Sequence, residues 1–440
     1  MREARLAMTM PMDSGKSARG ELTRMIVAIV VGNGFIAYDF TIYSLSAVTI
    51  GTLFFPSRNP VSSLLLSLAT FGAGFVMRPL GAVVIGHISD SRSRKTGMIV
   101  SLMLMTVATW MIACMPTYAS IGPAATVLMV VARLMQGLAA GGEIGPASAS
   151  LMEAVTHERR CFVVSWRGAS QGMAAFVAAL IAASTTALLS PAAMQDWGWR
   201  IPFMLGGLIG PAGWYLRRRM PAIAERSSRK RMFRPLFAEH ARTLAYGVLM
   251  MAAPSASFYV TVFYLPSYLV QTLHWPATIS LVTACLSGLI ILVMTPLVAT
   301  IADRYVSRKT VQYVTFSVSL MATYPAFWML TQDVGHIPGL LIMATYVAFS
   351  LNNAGAGSVL MLEAFPRHQR AAGLSVIYSL GVVIFGGFSP LLVTWLIHFS
   401  GDIMMPAWYL IGATAITLYA LNRFPEDRYA RVAISGAGLD

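Results

Sequence analysis

Two acids and three arginines stand inside stretches that are otherwise apolar: Asp39, Glu143, Arg78, Arg133 and Arg167. Placing such a group at membrane depth costs about 2.5–3.5 kcal/mol on insertion scales, so each calls for a partner or a task. An arginine fork matches a carboxylate in two parallel hydrogen bonds. A buried carboxyl holds or releases a proton according to whether a cation faces it. The combination suits coupled handling of an organic anion and a proton.

Each residue has two readings. Arg133 binds a substrate carboxylate or pins its helix to a neighbour. It lies ten residues from Glu143, about 15 Å along a helix, too far for a direct pair. Glu143 follows Gly141 and Gly142, where helices can approach closely, and is a proton carrier or a structural acceptor. Asp39, in the middle of its segment, is the preferred proton site. Arg78 precedes Pro79, which bends a helix; it faces the cavity or neutralises Asp39, and the second is expected. Arg167 touches substrate or extends its tip to the membrane surface. Asn33, Tyr43, Gln136, Gln171, Tyr259, Tyr264, Asn352, Asn353 and Tyr378 complete the candidate binding set with Arg133 and Arg167. Trp197, Trp199 and Arg200 read as anchors at the outer membrane interface.

Other chemistries have no foothold. The chain has neither an HExxH pair nor a GxxxxGK[ST] phosphate loop. Cys114, Cys161 and Cys285 are scattered, without paired spacing. No catalytic residue, metal or cofactor is expected, and the protein does not read as an enzyme.

The elements that must position these groups follow from composition. Of 440 residues, 56% are hydrophobic and 11% charged, against roughly 25% charged in soluble proteins. Apolar segments fall at 25–50, 63–86, 97–115, 124–149, 162–189, 201–216, 244–270, 280–301, 312–331, 339–361, 372–398 and 405–422. The fold class is therefore an all-α membrane protein with twelve transmembrane helices in two six-helix pseudo-repeats. The domains are a tail (1–24), a six-helix bundle (25–216), a basic linker (217–243), a second bundle (244–422) and a tail (423–440). The first 24 residues are polar and basic and run into the first apolar segment without a cleavage site, so they read as a cytoplasmic tail.

Charge sets the orientation. Twenty-seven of the 32 Lys and Arg residues lie in the tails and in the linkers on one side, two lie on the other, and three fall inside segments. That bias puts both termini and the 217–243 linker in the cytoplasm of a multi-pass cell membrane protein, the inner membrane if bacterial. The net charge of +14 is thus an orientation signal, and nucleic acid is not needed to explain it.

An internal repeat supports the two bundles. GHISDSRSRK (86–95) corresponds to ATIADRYVSRK (299–309), and LMEAVTHERR (151–160) to LEAFPRHQR (362–370). Transporters commonly bind substrate between two such halves. Asp90 and Glu153, with Asp303 and Glu363, are expected to form cytoplasmic gate networks with Arg94, Arg160, Arg308 and Arg370. The second-half segments hold no Asp, Glu, Lys or Arg before Glu363, so charge chemistry is assigned to the first half and shape selection to the second.

These repeated loops resemble the major facilitator superfamily, whose pattern there is G-x-x-x-D-R-x-G-R-R. This chain departs by Ser91 and Ser93 in the first copy, and by Ala299 and one extra residue before Arg308 in the second. RLMQGLAAGGE (133–143) is similar to a signature of the metabolite:proton symporter family, as are GNGFIAYDF (32–40), MRPLGA (77–82), ERRCFVVSW (158–166) and GWRIPF (198–203). Arg167 stands where that family usually has Gln. YVTVFYLPSYL (259–269), IFGGFSP (384–390) and TWLIHFSGD (394–402) resemble the citrate and tricarballylate symporters. The osmosensory proline/betaine branch carries a long carboxy-terminal coiled coil; the 18 residues of 423–440 show no heptads.

The resemblance implies a proton symporter importing a small organic anion, citrate, tricarballylate or a related di- or tricarboxylate, by alternating access. The alternative is a proton symporter of another metabolite: a monocarboxylate, an aromatic acid or a zwitterionic osmolyte. A membrane sensor of the same fold would need no proton site, and a drug exporter would not be expected to carry three in-segment arginines. The expected partners are the anion, protons and the lipid bilayer, with the chain acting as a monomer. The orientation is testable by single cysteines at Ser228 and Ser57 in a background lacking the three native cysteines. An impermeant maleimide added outside should modify Ser57→Cys and spare Ser228→Cys; the reverse pattern would invert the topology.

Overall fold

A computed structural model describes residues 14–91, 94–141, 144–218, 233–332, 335–351 and 354–425. A long apolar run with no water to bond its backbone must satisfy its own N–H and C=O groups, and only a helix does this within one segment. The first half is α1 (Ser14–Leu45), α2 (Ala47–Phe54), α3 (Pro60–Ser91), α4 (Arg94–Cys114), α5 (Tyr118–Ile121), α6 (Pro123–Ala140), α7 (Ile144–Glu153), α8 (Arg160–Leu188), α9 (Pro191–Ala193) and α10 (Arg200–Arg218). The second half opens with α11 (Phe233–Met250), α12 (Ala252–Phe258), α13 (Leu265–Gln271), α14 (Ala277–Arg304) and α15 (Arg308–Thr331). It closes with α16 (His336–Ser350), α17 (Ala354–Glu363), α18 (Arg370–Val382), α19 (Ser389–Ser400) and α20 (Met405–Arg423). Wider π-helical turns occupy Met194–Gly198, Tyr259–Tyr264 and Val383–Gly387. Among the described residues there is no strand.

Among the described residues, eight helical runs are long and apolar enough to cross a membrane: Pro60–Ile88, Thr96–Cys114, Pro123–Glu153, His157–Leu188, Leu236–Gln271, Ala277–Arg304, His336–Glu363 and Arg370–Ser400. The protein is an all-α, multi-pass membrane protein. The other four expected segments also fall on helix, in α1–α2, α10, α15 and α20. Polar residues dilute these stretches: α15 carries Gln312, Tyr313, Thr315, Ser317, Ser319 and Thr323 among its apolar positions. Two boundaries differ from expectation. Helix α1 starts at Ser14, inside the expected tail. Residues 233–243 of the expected linker belong to α11, which breaks at His240 (φ −120°, ψ 19°).

Small residues set how closely the helices pack. Gly137 of α6 lies so near α3 that a Cβ there would stand 1.7 Å from the Gly74 carbonyl oxygen. The most extensive contact between the two halves runs along α8 and α14. There a Cβ on Gly172 would come within 2.7 Å of the Gly288 carbonyl oxygen.

Trp199 departs from its expected place at the interface. It is fully buried, packed edge-on against Phe54 at 5.4 Å and Phe203 at 6.2 Å, with the Arg200 guanidinium 4.5 Å from its ring centre. Arg200 is spent locally, donating to the carbonyls of Asp196 and Met115. Trp197 is exposed.

Gly137→Ala forces α3 and α6 apart and should destabilise by about 1–3 kcal/mol or more. Gly412→Ala, on a helix with open space around its Cβ position, should stabilise by roughly 0.5–1 kcal/mol. Melting temperatures of the two purified variants should therefore diverge in opposite directions from the parent; coincident values would refute the close packing.

Candidate functional site

Asp39 sits in the middle of α1 with 1% of its surface exposed. Thr109 of α4 donates to its Oδ1 at 2.5 Å. Arg133 of α6 places Nη1 3.8 Å from Oδ2 and donates the same nitrogen to Gln136 Oε1 at 2.5 Å. Gln136 Nε2 in turn donates to Thr109 Oγ1 at 3.3 Å. Four side chains from three helices thus close a ring around one acid. Three aromatic faces complete the setting, with the Arg133 guanidinium 4.2 Å from the centre of Tyr43, 4.6 Å from Phe40 and 5.3 Å from Phe71. A cation over such faces is attracted by the ring quadrupole, more strongly when desolvated.

The cation beside Asp39 is Arg133, in place of the expected Arg78. The Arg78 guanidinium lies 4.2 Å from the Phe75 centre and 4.6 Å from Phe40. Phe40 is shared by both arginines, and Arg133, from the facing helix, takes the carboxylate. Arg78 instead lines a small cavity of about 30 Å³ with Asn33, Gln171, Tyr259 and Tyr378.

A larger cavity of about 100 Å³ adjoins it, lined by Arg167, Gln171, Tyr259 and Tyr378 among others. The last three residues are common to both, so the cavities are two lobes about Tyr259 and Tyr378. Arg167 does not reach the surface: it is 4% exposed, with Nη2 3.4 Å from Ser358 Oγ and its guanidinium 5.0 Å from the Tyr378 ring centre. Its Nε and Nη1 have no hydrogen-bond partner, nor has Arg78 Nε. Asn33 donates to the Arg167 carbonyl at 2.9 Å and to Ser170 Oγ at 2.7 Å, tying α1 to α8. Gln171 Nε2 reaches the Tyr378 hydroxyl at 3.4 Å across the two halves.

The expected binding residues therefore divide. Asn33, Arg167, Gln171, Tyr259 and Tyr378 line the cavities together with Arg78. Arg133, Gln136 and Tyr43 lie outside both lobes with Asp39; Tyr43 donates to the Ser67 carbonyl at 3.3 Å. Tyr264 packs against Tyr268, also outside both lobes. Glu143, Asn352 and Asn353 lie outside the described residues. Sequence reasoning did not single out Thr109 or Ser358, ordinary hydroxyls with no local signal. It also did not single out the aromatic layer of Phe40, Phe71 and Phe75. The four-residue spacing of Phe71 and Phe75, on one helix face, was the available clue.

The strings 259–269 and 384–390 hold two π-helical turns that meet at the cavity, where a Cβ on Gly386 would touch the Tyr259 ring at 3.0 Å. Such turns occur often at functional sites because they re-aim side chains.

At one end of the bundle the halves are joined by charge. Glu363, 3% exposed, accepts from Arg160 Nη1 at 2.8 Å and from Arg308, and lies 3.7 Å from the His157 ring. Among the described residues Asp303 forms no salt bridge with an arginine. It accepts from the backbone N–H groups of Cys161 at 3.0 Å and Phe162 at 2.8 Å. These are free donors at the positive end of α8, which attract a carboxylate. Glu153 pairs with Arg367 at 3.5 Å, and Arg370 donates to the Phe365 carbonyl at 3.3 Å. The side chains of Asp90 and Arg94 lie outside the described part. On the far side of the cavity Ser44 donates to the Phe263 carbonyl at 3.2 Å, and Phe71 meets Phe263 edge-on.

A multi-pass helical bundle whose halves touch at both ends around a small polar cavity has the architecture of a membrane transporter. The chain belongs to the Major Facilitator Superfamily, whose profile matches residues 22–361. It is similar to a citrate-proton symporter of Klebsiella pneumoniae, 34% identical over 427 residues that cover 94% of this chain and 95% of the relative. A proline/betaine transporter of Salmonella typhimurium is 29% identical over 91% of this chain and 82% of its own length. Among solved structures, the E. coli xylose transporter in a partially occluded inward-open conformation superposes with a TM-score of 0.74 at 16% identity, covering 93% of this chain and 99% of its own. That likeness concerns the fold. Homology and fold place the chain among transporters and not enzymes.

Removing the Glu363 charge leaves Arg160 and Arg308 confronting each other at the junction where Cys161 is buried. In a Cys114→Ser, Cys285→Ser background, Glu363→Gln should speed modification of Cys161 by a permeant maleimide at least tenfold. An unchanged rate would show that the charge cluster does not hold the halves together.

Proposed function

We propose that the protein is a proton-coupled secondary transporter that imports a small organic carboxylate by alternating access. In this reading its helices form two six-span halves, giving twelve spans in all, in the inner membrane with both termini in the cytoplasm. The observation that carries the proposal is the pair of buried arginines, Arg78 and Arg167, on either lobe of a cavity between the halves. Buried hydrogen-bond donors with no partner among the described residues favour an anion. Citrate and tricarballylate head the candidates, supported by the resemblance of 259–269, 384–390 and 394–402 and by the printed activity of the Klebsiella relative.

An anion entering against a negative interior is opposed by about 2.3 kcal/mol per charge per 100 mV. Co-transported protons cancel that charge. Asp39 is the proton site of this reading. Ionised, it holds Arg133 in the ring with Thr109 and Gln136; protonated, it frees the Arg133 charge to act through Phe40 on the Arg78 lobe. Proton and substrate occupancy are then linked by one charge balance, and the linkage is reciprocal. The cluster of Glu363, Arg160 and Arg308, with Asp303 on the α8 terminus, serves as the cytoplasmic gate. Glu363 gathers both arginines at once, so closure depends on the group acting together.

The test is uptake of labelled citrate, tricarballylate and 2-oxoglutarate into proteoliposomes with an acid exterior. At least one should accumulate only with the pH gradient. Asp39→Asn, which mimics the protonated acid, should keep exchange of labelled for unlabelled substrate and lose uphill accumulation. Accumulation by the variant at the parent's level would remove Asp39 from proton coupling. Absence of gradient-driven uptake across an extended carboxylate panel would sink the function.

A further inference from the structure

Resting on the carboxylate reading above, the larger lobe says more about the substrate's shape. Among its described lining residues Arg167 is the one charged group. It stands on the α8 wall, facing Ser358 of α17 and Tyr378 of α18. The rest of the lobe is mainly apolar, with Met250, Met251, Phe258, Met361 and Leu374, and its remaining polar groups, Ser255 and Gln312 among them, are uncharged. Arg78 belongs to the smaller lobe. Arg133 is fully buried outside both lobes, among Phe40, Tyr43 and Phe71. Among its described lining residues the larger lobe thus offers one cationic side chain in a mainly apolar surface.

This asymmetry disfavours an anion charged along its whole length. A compact tricarboxylate could give two of its groups to Arg78 and Arg167. The third would face methionine and leucine, and a buried charge without partners is strongly penalised. An anion charged at one end has no such difficulty. We infer that the preferred ligand is an amphiphilic carboxylate: its carboxylate sits on Arg167 beside Tyr378, and an alkyl or aryl body fills the Met–Phe–Leu wall. Methionine side chains are unbranched and adapt to irregular shapes, which suits a wall that accepts more than one body. Arg167 is then a specificity-determining residue, since glutamine at that position would leave the apolar wall without a counter-charge for the head group.

The experiment is calorimetric binding to the purified full-length protein in detergent, which avoids the unaided permeation of hydrophobic acids. The probes are acetate, butyrate, pentanoate, phenylacetate, citrate and tricarballylate. Dissociation constants should fall about fourfold per methylene along the alkyl series, as expected for burying a CH₂. Phenylacetate should bind at least tenfold more tightly than either tricarboxylate. Leu374→Asn should flatten the methylene step. Arg167→Gln should weaken every monocarboxylate at least tenfold and preserve the step; Arg167→Lys should recover part of the loss if the glutamine variant folds poorly.

Tricarballylate binding more tightly than every monocarboxylate, with a flat alkyl series, would overturn the inference. The transport reading would survive that result if the same tricarboxylate accumulated with the pH gradient. Conversely, a steep alkyl series without any gradient-driven uptake would uphold the amphiphilic ligand and remove proton symport.

Discussion

The structure depends most on keeping the Arg133 guanidinium content without water. At complete burial it has one carboxylate at 3.8 Å, one amide and three aromatic faces, while its Nε and Nη2 have no hydrogen-bond partner among the described residues. Each fixes a neighbour. Asp39 sets the rotation of α1, Thr109 that of α4, and Phe71 and Phe75 the face that α3 turns inward. The close approach of α3 to α6 is possible because Gly74 and Gly137 meet without side chains. Replacing one member of a buried ion pair strands the other charge, commonly at 3–5 kcal/mol. Electrostatics and packing in the first half are therefore one constraint.

The second charged cluster obeys different physics. Exposed ion pairs are worth little, yet Glu363 is only 3% exposed and gathers Arg160 and Arg308 from both halves. Asp303 adds a helix terminus to the same junction by bonding two backbone N–H groups of α8. The contact joins elements distant in sequence through groups that also bond well to water. Such a junction can open without leaving a buried charge unpaired, unlike the ring around Asp39. The opposite closure, Ser44 on Phe263 and the aromatic edges around it, is short-range and largely apolar. Between the two closures stand π-helical turns at Tyr259–Tyr264 and Val383–Gly387. Such turns interrupt the regular helix and place backbone adaptability at the cavity, where the proposed alternating access would use it.

Membrane insertion, helical class and the list of chemically meaningful residues were legible in the residues themselves. A chain that is 56% hydrophobic and 11% charged has no soluble solution, and helices follow because backbone groups in lipid must bond within their own segment. The rarity of ionisable side chains in apolar segments made Asp39, Arg78, Arg133 and Arg167 stand out before any fold was known. The charged runs at 151–160, 299–309 and 362–370 marked the charged junction. Partnership was beyond reach. Whether Asp39 meets Arg78 or Arg133 depends on helix rotation and on which side of Phe40 each guanidinium falls, and no local spacing encodes either. The same reason hid Thr109, moved Trp199 into the core and gave Asp303 backbone donors in place of an arginine. Residue type determined which groups had to be compensated in a medium without water; three-dimensional packing alone decided what compensates them.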